Sequence, residues 1–67
     1  MLTVNQRLRH LRKTNGDTQQ NLADYLQVTK QAVCKWEKSK MDVPSWAIKA
    51  VCEKYHVSAD YMLGIGK

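Results

Sequence analysis

Between Thr18 and Lys40 the chain reads TQQNLADYLQVTKQAVCKWEKSK. Leu22, Ala23 and Leu26 recur at helical spacing, which predicts a short helix over Gln19 to Leu26 with one apolar face. Thr18 stands immediately before it, where a hydroxyl can accept from the unpaired N–H groups of the first turn. Gln27 and Val28 interrupt the pattern, and Thr29 offers a second cap. Beyond it, Ala32, Val33 and Trp36 again share one helical face, while Lys30, Gln31 and Lys35 point outward. Two short helices joined in this way, the second with polar residues outward, form a helix-turn-helix.

The flanks continue the helical pattern. Thr3 and Gln6 have the spacing of a capping box. Val4, Leu8 and Leu11 then predict a first helix from Val4 to Lys13, with Arg7, Arg9, Arg12 and Lys13 on its other faces. Most of these cations are expected in solvent, with one or two in reach of a phosphate. Asn15-Gly16 is a turn signal that ends this helix. Lys38 to Val43 reads as a polar connector, and Pro44 suits the first turn of a fourth helix. Trp46, Ile48, Val51, Cys52 and Tyr55 give that helix its apolar side. Ser58 can cap a short fifth helix with Tyr61, Met62 and Leu63 inward, Gly64 closing it and residues 64–67 trailing as a loose tail. The expectation is an all-α fold: a single compact five-helix domain over residues 1–67, without strands. Leu8, Leu22, Val33, Trp36, Ile48, Val51 and Leu63 are expected in one core.

Composition narrows the function. Sixty-seven residues support one small core, and 43% hydrophobic content is that of a globular chain. A net charge of +5 and a pI near 9.5 point toward a nucleic-acid partner, although charge alone is equally that of an ordinary basic surface. No apolar run is long enough to cross a bilayer, and MLTVNQRLRH lacks a signal-peptide core, so a cytoplasmic protein is expected. Cys34 and Cys52 are then expected as free thiols. Together with His10 and His56 they lack the spacing of zinc ligands, so no metal is expected. No nucleophile–base constellation or glycine-rich phosphate loop is evident, so neither an enzyme nor a cofactor is expected. Several separately capped helices also argue against a single membrane-surface helix.

Taken together, Gln19, Leu22, Ala23, Val28-Thr29, Val33, Trp36 and Glu37 resemble the helix-turn-helix family of phage repressors and Cro-like regulators, with a lambda-repressor-like DNA-binding fold. The resemblance extends to Arg7-Leu8-Arg9, Leu11-Arg12, Pro44 and the run from Val57 to Gly64, and so covers nearly the whole chain. Four positions depart from the family. Asp17 stands where an apolar residue is usual, which leaves the packing of that turn open. Gln27, Ser39 and His56 stand where glycine is usual, the first at a position that often needs positive φ, so altered turns or local strain are expected there.

The resemblance implies roles for individual residues. The N-terminal part of a recognition helix reaches deepest into the major groove. Thr29, Lys30, Gln31, Cys34 and Lys35 occupy the family's base-reading positions. Gln31 can pair with adenine N6 and N7, Lys30 or Lys35 with guanine O6 and N7, and Cys34 can touch a thymine methyl or simply fill its position. Gln19 matches the position that grips a phosphate at the start of the second helix, and Lys38 and Lys40 match backbone-contacting positions. Arg12 and Glu37 match a pair that forms a partly buried salt bridge and brings Arg12 near the DNA backbone. The alternative for each lysine is an ordinary solvated charge.

The implied function is a sequence-specific transcriptional regulator of phage or mobile-element type, a repressor or Cro-like protein acting by operator occupancy. Its partner would be double-stranded DNA carrying an inverted repeat, bound by a homodimer. The dimer surface is expected in the Lys40 to Pro44 connector and around the fifth helix. The competing expectation is an antitoxin or anti-repressor that uses the same fold to cap a protein partner, favoured if apolar residues near Trp46 or Ile65 are exposed.

Overall fold

A computed structural model describes residues 3–38 and 43–63. It contains α1 (Val4–Thr14), α2 (Gln19–Leu26), α3 (Lys30–Lys38), α4 (Ser45–Tyr55) and α5 (Ala59–Leu63), with no strand among the described residues. The expected glycine substitute Ser39, the phosphate contact Lys40, most of the connector, Gly64 and the tail lie outside the described residues.

Each helix begins on a residue suited to the task. Thr3 Oγ1 accepts from Gln6 N–H, and the Gln6 side chain accepts from Thr3 N–H in return, so the capping box forms. Thr18 Oγ1 accepts from Asn21 N–H at 3.0 Å, Thr29 Oγ1 from Ala32 N–H at 3.1 Å and Ser58 Oγ from Tyr61 N–H at 3.1 Å. Pro44 precedes α4 rather than lying within its first turn, and its carbonyl accepts from Ala47 and Ile48. α1 runs one residue beyond the expected Lys13, to Thr14.

Two helices end in the left-handed conformation. Gln27 has φ 59° and His56 has φ 57°. Val28 N–H then donates to Ala23 O at 3.0 Å, and Val57 N–H to Cys52 O at 3.1 Å. These bonds satisfy carbonyls that the helix ends would leave unpaired, at the cost of holding a Cβ-bearing residue where glycine is favoured.

The core is built from Leu8 and Leu11 of α1, Leu22, Ala23 and Leu26 of α2, and Val33 and Trp36 of α3. Val43, Ala47, Val51, Tyr55 and Met62 complete it. α3 packs on both α1 and α2, and α5 on both α1 and α4. The helix-turn-helix is therefore braced from behind by α1.

Several expected core positions are corrected. Leu63 is 47% exposed, and Met62 beside it is 1% exposed and fills the core. A five-residue helix makes little more than one turn, too little for periodicity to choose between neighbouring apolar residues. Trp46 is 52% exposed, because Ala47, Val51 and Tyr55 form the inward stripe of α4 and place Trp46 on its flank. There it meets Trp36 edge-on, with ring centroids 6.1 Å apart and planes at 76°. Ile48 and Cys52 are half-buried, packed against the core rather than within it. Cys34, placed by the resemblance among the base-reading positions, is half-buried as well.

Asp17 takes a polar partner in place of apolar packing. Its carboxylate accepts from Tyr55 Oη at 2.8 Å and lies 3.5 Å from Lys54 Nζ, which ties the α1–α2 turn to the end of α4. The Lys54 ammonium also lies over the rings of Tyr25 and Tyr55. Burial first, and then the bond to Asp17, push the Tyr55 hydroxyl well above its ordinary pKa of about 10.

Candidate nucleic-acid interface

The outward face of α3 carries Lys30, Gln31 and Lys35, all exposed, with Lys38 exposed at its C-terminal end. Thr29 precedes the helix and is exposed, but its hydroxyl oxygen already accepts from Ala32 N–H, leaving its O–H free to donate outward. Cys34 lies on the edge of this face, half-buried and with a free thiol. The inward residues Val33 and Trp36 anchor the helix in the core, so the polar face is held on a rigid element.

Behind α3, three elements are joined by one carboxylate. Arg12 Nε donates to Glu37 Oε2 at 2.7 Å, and Arg12 NH2 donates to Glu37 Oε1 at 3.0 Å. Arg12 NH1 donates to the carbonyl of Asp17 at 2.8 Å. Gln19 Nε2 also donates to Glu37 Oε1, at 3.1 Å. Arg12 is 8% exposed and Glu37 7%, so this pair is more deeply buried than the sequence resemblance implied. The bond to Glu37, opposed in part by burial, raises the Arg12 pKa further. Arg12 uses three of its five N–H groups on these partners, so it acts first as a strut between α1 and α3.

The bond from Gln19 to Glu37 could not be anticipated from the sequence, because it depends on how α2 and α3 cross. It fixes the side chain of the first residue of α2, whose early N–H groups have no intrahelical acceptor. Lys13 of α1, Thr18, Gln19 and Gln20 at the start of α2, and Lys30 at the start of α3 line one open depression. A neighbouring depression is bordered by Arg9, Arg12, Gln19, Glu37 and Lys38. The positive ends of two helices and four exposed cations, Arg9, Lys13, Lys30 and Lys38, thus surround Gln19. Arg9 and Lys13 were legible only as members of a basic helix; their spacing of four residues on one face was the available signal.

No protein-family model matches the sequence, and no curated protein is significantly similar to it. In structure, the chain is similar to the P22 c2 repressor, solved in complex with synthetic operator 9T in the presence of Tl+. The TM-score is 0.82 at 25% sequence identity, over 94% of this chain and 96% of that one. The chain folds as a phage-repressor-type helix-turn-helix domain.

In this repressor-type domain the polar face of α3 and the basic surround of Gln19 are contiguous through Lys30 and Lys38. The first group presents donors on a helix narrow enough for a major groove, and the second presents charge and helix N–H groups suited to phosphate oxygens. Among the described residues, no helix is long and apolar enough to cross a membrane.

Proposed function

We propose that the chain is a sequence-specific DNA-binding transcriptional regulator, a phage or mobile-element repressor or Cro-like protein that acts by occupying an operator. The observation that carries this is the exposed face of Lys30, Gln31 and Lys35 on a helix braced from behind by the buried Arg12–Glu37 pair. The likeness to a repressor bound to operator DNA supports it. In this reading Thr29, Lys30, Gln31, Cys34 and Lys35 meet base edges, with Gln31 as the adenine-reading residue. Gln19, Lys38, Lys40 and the remaining N–H groups of Arg12 meet phosphates and set register. Occupancy that excludes polymerase requires no bond-making by the protein, in keeping with a non-enzyme. The reading places the protein in the cytoplasm, where its DNA is.

A single recognition helix buries limited surface, so tight specific binding is expected from a homodimer on two half-sites. Selecting bound duplexes from a random pool tests the whole reading. Recovery of an inverted repeat supports it; no enrichment by a folded protein overturns it.

A further inference from the structure

Asp17 is the one acidic residue among those that line the open depression at the start of α2. Its backbone and its side chain have different partners. The carbonyl accepts from Arg12 NH1 at 2.8 Å, beside the buried Arg12–Glu37 pair. The carboxylate is drawn to the end of α4, where Oδ2 accepts from Tyr55 Oη at 2.8 Å and lies 3.5 Å from Lys54 Nζ. Lys54 is itself held, its ammonium 4.8 Å from the centre of the Tyr25 ring and 5.5 Å from that of Tyr55. Tyr25, Lys54 and Tyr55 are not among the residues lining the depression, so these contacts direct the carboxylate away from it.

Asp17 stands immediately before Thr18, the N-cap of α2. An aspartate side chain readily accepts from the backbone N–H two residues ahead, here that of Gln19. Gln19 is the first residue of α2, and its N–H has no carbonyl within the helix to bond. A carboxylate placed there satisfies that donor and sets negative charge at the positive end of the helix, which is what a DNA phosphate does. The two anions therefore compete for one place.

We infer that Tyr55 and Lys54 are positioning residues for DNA binding: they hold the Asp17 carboxylate at the end of α4 and so leave the first N–H groups of α2 open to a phosphate. The inference rests on the DNA-binding function proposed above and adds to it two residues that themselves touch no DNA.

The test is binding of a random-sequence duplex at low salt by the full chain, with circular dichroism showing each variant folded. Tyr55→Phe removes the hydroxyl and changes no charge, so long-range attraction to DNA is untouched. It frees the carboxylate and weakens binding about three- to tenfold, the effect of roughly one hydrogen bond. Asp17→Ala breaks the same hydrogen bond but leaves no competitor, and binds at least as tightly as the wild type. In the Asp17→Ala background Tyr55→Phe has no further effect. Lys54→Met gives a second cycle, weakening binding more in the wild-type background than in the Asp17→Ala background. If the bond only stiffens the turn, Asp17→Ala and Tyr55→Phe weaken binding alike, and that result overturns the inference. Wild-type affinity in Tyr55→Phe, or equal losses in both backgrounds, overturns it too. A folded wild type that binds no duplex overturns the proposed function itself, and this inference with it.

Discussion

Arg12 and Glu37 lie 25 residues apart in the chain and meet in a two-pronged ion pair, Nε to Oε2 at 2.7 Å and NH2 to Oε1 at 3.0 Å. Both side chains are buried, and Gln19 completes the carboxylate's set of partners. The pair joins the helix behind the motif to the end of the helix that faces outward.

Removing either member leaves a buried charge without its counter-ion. Arg12→Ala and Glu37→Ala should each destabilise the fold by roughly 3 kcal/mol. The double variant should cost clearly less than the sum of the two, because it leaves no orphan charge. Urea unfolding of the four proteins measures this, and strict additivity would refute the coupling.

The two left-handed helix ends predict stabilising changes. Gln27 and His56 hold φ near +60°, where a Cβ is unfavourable and glycine is not. Gln27→Gly and His56→Gly should each raise stability by about 0.5–1 kcal/mol, after allowing for the greater freedom glycine brings to the unfolded chain. In a domain of this size that is a rise of a few degrees in Tm. A fall in Tm for both would show that these side chains contribute more than their backbone costs.

Tyr55 predicts a dependence on alkaline pH. Its hydroxyl is held protonated in the folded state by burial and by the bond to Asp17, so its pKa is raised on folding. The stability it contributes is complete below the unfolded value of about 10 and is lost as pH rises above it, because the unfolded chain releases the proton first. Tyr55→Phe should cost about 1–2 kcal/mol at neutral pH and lessen the loss of stability above pH ~10. Parallel pH profiles for the two proteins would contradict the assignment.

What was legible in the sequence follows from how local each feature is. The bounds of α2, and the caps at Thr3, Thr18, Thr29 and Ser58, depend on residues within one turn of each other, and all were readable. At Gln27 and His56 the resemblance left altered turns or local strain open, and the left-handed backbone is kept at both. Trp46 was misplaced because its bulk argued for the core, whereas the close approach of α4 favours Ala47 inward. Met62 and Leu63 were both expected inward and only Met62 is, because α5 is too short for its phase to be read. At the candidate site the outward residues of α3 followed from periodicity. The bond from Gln19 to Glu37 and the tie from Tyr55 to Asp17 span 18 and 38 residues and depend on packing that no local pattern encodes.

The most direct test of α3 as the recognition helix is binding of Gln31→Ala and Lys38→Ala to a selected operator and to random duplex, across several salt concentrations. Gln31 is expected over a base edge. Its loss should cost about 1–3 kcal/mol on the operator, relax discrimination at one base position and leave random-duplex binding nearly intact. Lys38 is expected over a phosphate. Its loss should weaken binding to both duplexes and lower the salt slope by about 1. If Gln31→Ala keeps the full operator preference and Lys38→Ala keeps the full salt slope, α3 does not read DNA and the account fails.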